Sequence, residues 1–79
     1  MLELIKAVST DIREKKDGTK KKKETFLLMI EDNEQTVWKK IYTNSSAFAK
    51  KYDFLKDVME SYYNGECTEE DVKETLTEQ

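Results

Sequence analysis

The sequence predicts an α+β fold: a three-stranded antiparallel sheet (β-β-β) followed by a long helix packed on one face and a short C-terminal helix. Three observations lead there. Residues 25–43 hold two short apolar runs on either side of a polar break, Asp32-Asn33-Glu34-Gln35, which is the pattern of a β-hairpin. Residues 48–62 repeat large apolar side chains at helical spacing. The chain contains no Pro and only two Gly among 79 residues, so its elements should run unbroken and its loops should be few.

The elements follow in order. Over residues 2–10, Leu2, Leu4 and Val8 fall on one parity and Ile5 and Ala7 on the other, as alternating strand side chains do. A helix also fits the spacing of Leu4, Ile5 and Val8, but Val, Ile, Ser and Thr favour the strand. Residues 13–24 have no apolar residue, and carry seven positive and three negative charges around the turn dipeptide Asp17-Gly18. They read as a basic loop joining two strands. A solvated, mobile tip is the plainer reading, because like charges repel and extend a chain. The functional reading is a phosphate-binding finger of Lys15, Lys16, Lys20, Lys21, Lys22 and Lys23.

The second strand is read over 25–31 and the third over 36–43. Phe26, Leu28 and Ile30 share one face; Leu27 and Met29 share the other. In the third strand Val37 and Ile41 alternate with Trp38 and Tyr42. The register is open from sequence, so either pair can meet the helix. Asn44, Ser45 and Ser46 offer N-cap oxygens for a helix over 45–63. Its stripe is Phe48, Tyr52, Leu55, Met59 and Tyr62, flanked by Phe54 and Val58, and Asn64-Gly65 supplies the stop. A stripe of this kind is far more often core than ligand site. Thr68 and Asp71 resemble a capping box, so a short helix over 68–77 follows, with Val72 and Leu76 on one side. Alone it would be marginal, so it either docks on the sheet or frays, and two aliphatic side chains suggest a weakly held tail; the second apolar sheet face is then covered by this helix or by a partner. The whole is one small domain, 1–79, made of a β-β-β-α body over 1–63 and an acidic tail helix in 66–79.

Charge is segregated along the chain. Residues 1–52 carry 12 basic and 8 acidic groups, and residues 53–79 carry 2 basic and 9 acidic groups, for a net charge of −3. Overall charge therefore argues against a dedicated nucleic-acid binder, while the local basic run permits one. There is no His, which removes the usual triads and most zinc sites. Cys67 is the single cysteine and has no His to activate it; with no internal disulfide available, a reducing, cytoplasmic setting is expected. Glu66, Glu69, Glu70, Asp71 and Glu74 lack the spacing and Gly of a calcium loop and read as a solvated helix face. No catalytic residue, cofactor, metal site or small-molecule substrate is expected, and no segment has the ~20 apolar residues needed to span a bilayer.

The element order β-β-β-α over 1–63 resembles that of the small DNA-binding domains of some integrases and plant transcription factors, which lay a three-stranded sheet in the major groove. The resemblance is one of order. Those domains read bases from Arg-rich strands, which this chain lacks, and no residue is carried over. The expected function is that of a small non-enzymatic binding protein: a protein-interaction adaptor or inhibitor using the open sheet face or the acidic C-terminal end. Its partner would be an unidentified protein or a second copy in a homodimer, with Leu27, Met29, Trp38 and Tyr42 as candidate contacts. The alternative is a nucleic-acid-binding accessory protein using the Lys-rich loop 15–23, Lys40 and the sheet face.

Overall fold

A computed structural model describes residues 1–77; the last two residues of the acidic tail, 78–79, lie outside the described residues. Strand β1 (Leu2–Glu14) pairs antiparallel with β2 (Lys20–Asp32), which pairs antiparallel with β3 (Gln35–Tyr42), giving the sheet order β1-β2-β3. Helix α1 (Ser45–Tyr63) and helix α2 (Glu69–Thr77) follow. The α+β arrangement is the predicted one.

The first two strands are longer than the sequence suggests. β1 ends at Glu14 rather than near residue 10, and β2 starts at Lys20 rather than 25, so most of the supposed basic loop is paired strand. Alternating hydrophobicity is the usual signal of a strand, and a ribbon exposed on both sides carries none. Cross-strand pairs take its place: Asp11 lies opposite Lys23 and Glu14 opposite Lys20, and opposite charges across a ladder are stabilising. The true turn is residues 15–19. Gly18 N–H donates to the Lys15 carbonyl at 3.0 Å, and Gly18 takes the left-handed φ of 87° that its missing Cβ allows. The Asp17 carboxylate accepts both the N–H and the hydroxyl of Thr19, at 3.0 and 2.6 Å.

The second turn is tighter than a four-residue loop. β2 runs to Asp32 and β3 begins at Gln35, so Asn33 and Glu34 alone reverse the chain, both with positive φ (50° and 71°). That is the backbone of a type I′ hairpin turn. Past the turn the ladder slips: Glu31 faces Thr36, but Ile30 faces Trp38, which leaves Val37 in a β-bulge. Thr36 is thereby moved to the Met29 side, where its hydroxyl donates to Met29 Sδ at 3.6 Å.

Both helices pack on one side of the sheet. Leu2, Leu28, Ile30, Leu55, Met59, Val72 and Leu76 form a single buried cluster. Phe48, Tyr52, Val58 and Tyr62 of the α1 stripe pack around it, whereas Phe54 is exposed. Asn44 caps α1 by accepting from Ser46 and Ala47 N–H at 2.8 and 3.1 Å. Glu66 N–H to the Ser61 carbonyl and Gly65 N–H to the Tyr62 carbonyl close its far end as a Schellman motif. Thr68 and Asp71 cap α2 reciprocally at 2.9 and 3.2 Å.

The tail helix docks, with Val72 and Leu76 buried as their spacing suggests, but it joins the core on the α1 side and does not cover the second face. Three strands spaced ~4.8 Å apart make a face ~14 Å wide, more than one helix of ~10 Å can cover. α2 contributes Val72 and Leu76 to the same buried cluster as Leu2, Leu28 and Ile30. The helices also stop short along the strands. Val8, opposite Phe26 on the helix side, is 56% exposed, and every β1 residue after it is exposed. The rest of the hairpin projects as a free two-stranded ribbon. A compact chain of this length has a radius of gyration of ~12 Å; this one measures 16.0 Å, with extents of 55 × 24 × 20 Å.

Candidate functional site

The face opposite the helices is the candidate site, and the ladder fixes its membership. In β2 it takes Glu31, Met29, Leu27, Thr25, Lys23 and Lys21. Opposite them in β1 stand Glu3, Ile5, Ala7, Ser9, Asp11 and Arg13. β3 adds Lys39 beside Met29 and Ile41 beside Leu27. Ile41 is 56% exposed, and Ile5, Leu27 and Met29 are half-buried by their neighbours within the sheet. Neither described helix overlies them.

Along its length this face changes chemistry in three steps, each marked by a shallow hollow. One end is acidic, around Glu3, Glu31 and Glu34. The middle is apolar, around Ala7, Leu27 and Ile41 with Lys39 at the rim. The ribbon end is basic, around Arg13, Lys21 and Lys23. Arg13 stands directly opposite Lys21, a like-charge pair that destabilises a ladder. Asp11 relieves part of this by accepting from Arg13 Nε at 3.2 Å. On the other side of the ribbon Lys22 pairs with Glu24 at 3.3 Å.

The structure brings together only some of the predicted contact residues. Leu27 and Met29 lie on the open face. Trp38 and Tyr42 lie on the helix side, opposite Ile30 and Phe26, and pack against the core, which corrects their assignment to the open face. Tyr42 meets Phe48 edge-on at 6.3 Å, and Lys51 sits 5.5 Å from the Trp38 ring. Lys40 is likewise separated from the ribbon lysines: it faces the helix side, 5.1 Å from the Tyr42 ring. Burial, and after it the nearby Lys40 ammonium, pulls Lys51 below the usual lysine value. Lys15 and Lys16 are in the turn, and Lys20, Lys21, Lys22 and Lys23 alternate between the two ribbon faces. Ile5 and Ile41 belong to the apolar patch the sequence allows on this face, whereas Arg13 is not among the contacts it suggests; the cross-strand register places all three at the site.

Among the described residues no group of three or more Cys, Asp or Glu side chains is placed to hold a metal ion. Cys67 is half-buried against the core cluster. No described helix is long and apolar enough to cross a membrane. No protein-family model, curated protein or solved structure matches the chain.

Proposed function

We propose that the protein is a non-enzymatic interaction module that docks on another protein through its open sheet face. The observation that carries this reading is the placement of both helices on one side. A sheet in water usually presents polar side chains on its uncovered face, yet this one presents Ile5, Ala7, Leu27, Met29 and Ile41 as a continuous patch. Contiguous apolar surface rimmed by charge marks a docking site. The single cysteine is consistent with a cytoplasmic setting. Substituting Leu27→Lys and Ile41→Lys tests the reading. Each variant should fold with a cost below ~1 kcal/mol, as surface changes do; the parent is expected to bind a hydrophobic dye, and the pair of changes to abolish that binding. A loss of several kcal/mol would mean that this face is interior, and the reading would fail.

A second reading rests on the ribbon. Seven basic residues within 13–23 sit on a protruding two-stranded ribbon, a shape that the ~12 Å major groove of B-DNA admits. The ribbon has no aromatic residue between Ser9 and Thr25, which favours duplex phosphates over base stacking. Binding of a DNA duplex at ~50 mM salt would support it, with a log–log salt slope that falls by about 0.9 for each phosphate pairing that a Lys→Gln change removes. Duplex that stays unbound at that salt removes it.

A further inference from the structure

We infer that the ribbon meets a DNA duplex with one face only, the face continuous with the open side of the sheet, where Arg13, Lys21 and Lys23 hold its phosphates. The inference rests on the ribbon reading and names the face and the side chains that make the contact. The β1–β2 register sorts the ribbon's charges between its two faces. On the helix side Glu14 stands opposite Lys20, and Lys22 is followed by Glu24. Two lysines meet two glutamates there, and Lys22 already pairs with Glu24 at 3.3 Å. On the open side Arg13, Lys21 and Lys23 share a single carboxylate, Asp11. The basic residues of the ribbon are therefore not equivalent: one face is neutral, and the other carries a surplus of two positive charges, three cations against one anion.

The geometry of that face suits a polyanion. Arg13 and Lys21 are cross-strand partners, with Cβ atoms ~5 Å apart. The Arg13 side chain is 78% exposed and spends only its Nε–H on Asp11, which leaves the other guanidinium N–H groups for a phosphate. An anion seated between Arg13 and Lys21 takes charge-assisted hydrogen bonds from both, and a repulsive pair becomes a binding pair. Lys23 stands one row further along the same face, ~7 Å away at ~3.4 Å per residue, and the three cations line one shallow hollow. The occupant follows from what the face lacks. Its ribbon part consists of Ser9, Asp11, Arg13, Lys21, Lys23 and Thr25, with no apolar side chain. The core of a protein–protein interface is depleted of charge and built on aromatic and apolar anchors. Phosphate binding draws its affinity from released counterions and needs no such anchor. The acidic end of the face does not interfere. Glu31 lies eight residues from Lys23 along β2, ~27 Å at ~3.4 Å per residue, well beyond the ~10 Å screening length in ~0.1 M salt.

The test is the salt dependence of binding to a short DNA duplex, by the full chain and by variants of each ribbon face. The parent is expected to show a log–log slope of about −2.7 or steeper, three phosphate contacts at about 0.9 each, and so to lose about 40-fold in affinity between ~50 and ~200 mM salt. Arg13→Gln should reduce that slope by about 0.9, and Lys21→Gln with Lys23→Gln by about 1.8. Lys20→Gln with Lys22→Gln, which removes as many charges from the other face, should reduce it by less than ~0.5. Lys21→Gln should also melt no lower than the parent without DNA, because it removes a like-charge pair from the ladder. Equal slope losses from the two lysine pairs, or a larger loss from Lys20 and Lys22, would overturn the inference and leave the ribbon reading in place. A Lys21→Gln chain that melts well below the parent would assign Lys21 to the support of the ribbon and overturn it as well. Polyglutamate bound as tightly as the duplex would assign the face to an acidic protein, with the same result. A duplex that stays unbound at ~50 mM salt removes the ribbon reading and the inference together.

Discussion

Glu34 is the residue whose backbone conflicts most plainly with its side chain. Its φ of 71° lies in the left-handed region, which costs a non-glycine residue ~1–2 kcal/mol, and the type I′ turn it completes prefers Asn followed by Gly. Asn33 meets the first preference; Glu34 violates the second. Glu34→Gly is therefore expected to raise stability by ~0.5–1 kcal/mol in a denaturant titration, and an unchanged or lower midpoint would contradict the turn described. The strain is invisible in the sequence because Asp32-Asn33-Glu34-Gln35 also reads as an ordinary polar loop. Asp71 gives a pH signature. The backbone N–H and then the hydroxyl of Thr68 hold its carboxyl below the ordinary value of 3.8. A lowered folded pKa stabilises the fold above the unfolded value, and that contribution is lost as pH falls through the folded one. Asp71→Asn should thus melt below the parent at pH 7, with the gap closing as pH falls below the ordinary aspartate range; a gap independent of pH would show that the cap works through shape alone.

At the scale of elements, α1 is legible in the sequence almost to the residue. Its stripe has the right period, its Asn44 cap and Gly65 stop are standard, and Leu55 and Met59 are buried as the spacing requires. Leu55→Ala should cost ~2–5 kcal/mol, read from thermal or denaturant unfolding, and a parent-like melt would mean that the helix is not seated on Leu28 and Ile30. The tail is legible as a helix but not as core. Two aliphatic side chains bring only ~3–6 kcal/mol on full burial, which is close to the cost of ordering the segment. What the sequence does not state is that Val72 and Leu76 share one buried cluster with Leu2, Leu28 and Ile30, so that removing α2 also opens that cluster. Deleting residues 66–79 is accordingly expected to abolish cooperative unfolding at 25 °C. A truncated chain that keeps its melt would mean that α2 is an ornament. The ribbon escapes a sequence reading for the opposite reason, since its pairing energy comes from backbone hydrogen bonds and charge pairs, and no apolar period announces them. The register of β3 is not readable from sequence at all. The bulge at Val37 sets which of Trp38/Tyr42 and Val37/Ile41 meets the helices, and it depends on a two-residue turn that the sequence only partly encodes.

For the whole molecule, one asymmetry organises the rest: two helices, one covered face, and a second face graded from carboxylate to aliphatic to ammonium. The covered face alone is a small core, eight buried hydrophobic side chains among the described residues, modest for a chain that also supports a free ribbon. A partner on the open face would add burial that the monomer lacks, which ties stability to association. That coupling holds only if the open face is open. Thiol labelling measures this most directly, using single cysteines in a Cys67→Ser background at low micromolar concentration. Cysteines at Leu27 and Ile41 are expected to react in the native protein at rates near those of the unfolded chain, and one at Leu28, which is 0% exposed, only as fast as the protein unfolds. Equal protection of positions 27, 28 and 41 would contradict the account, because it would mean that both faces of the sheet are covered within a single chain.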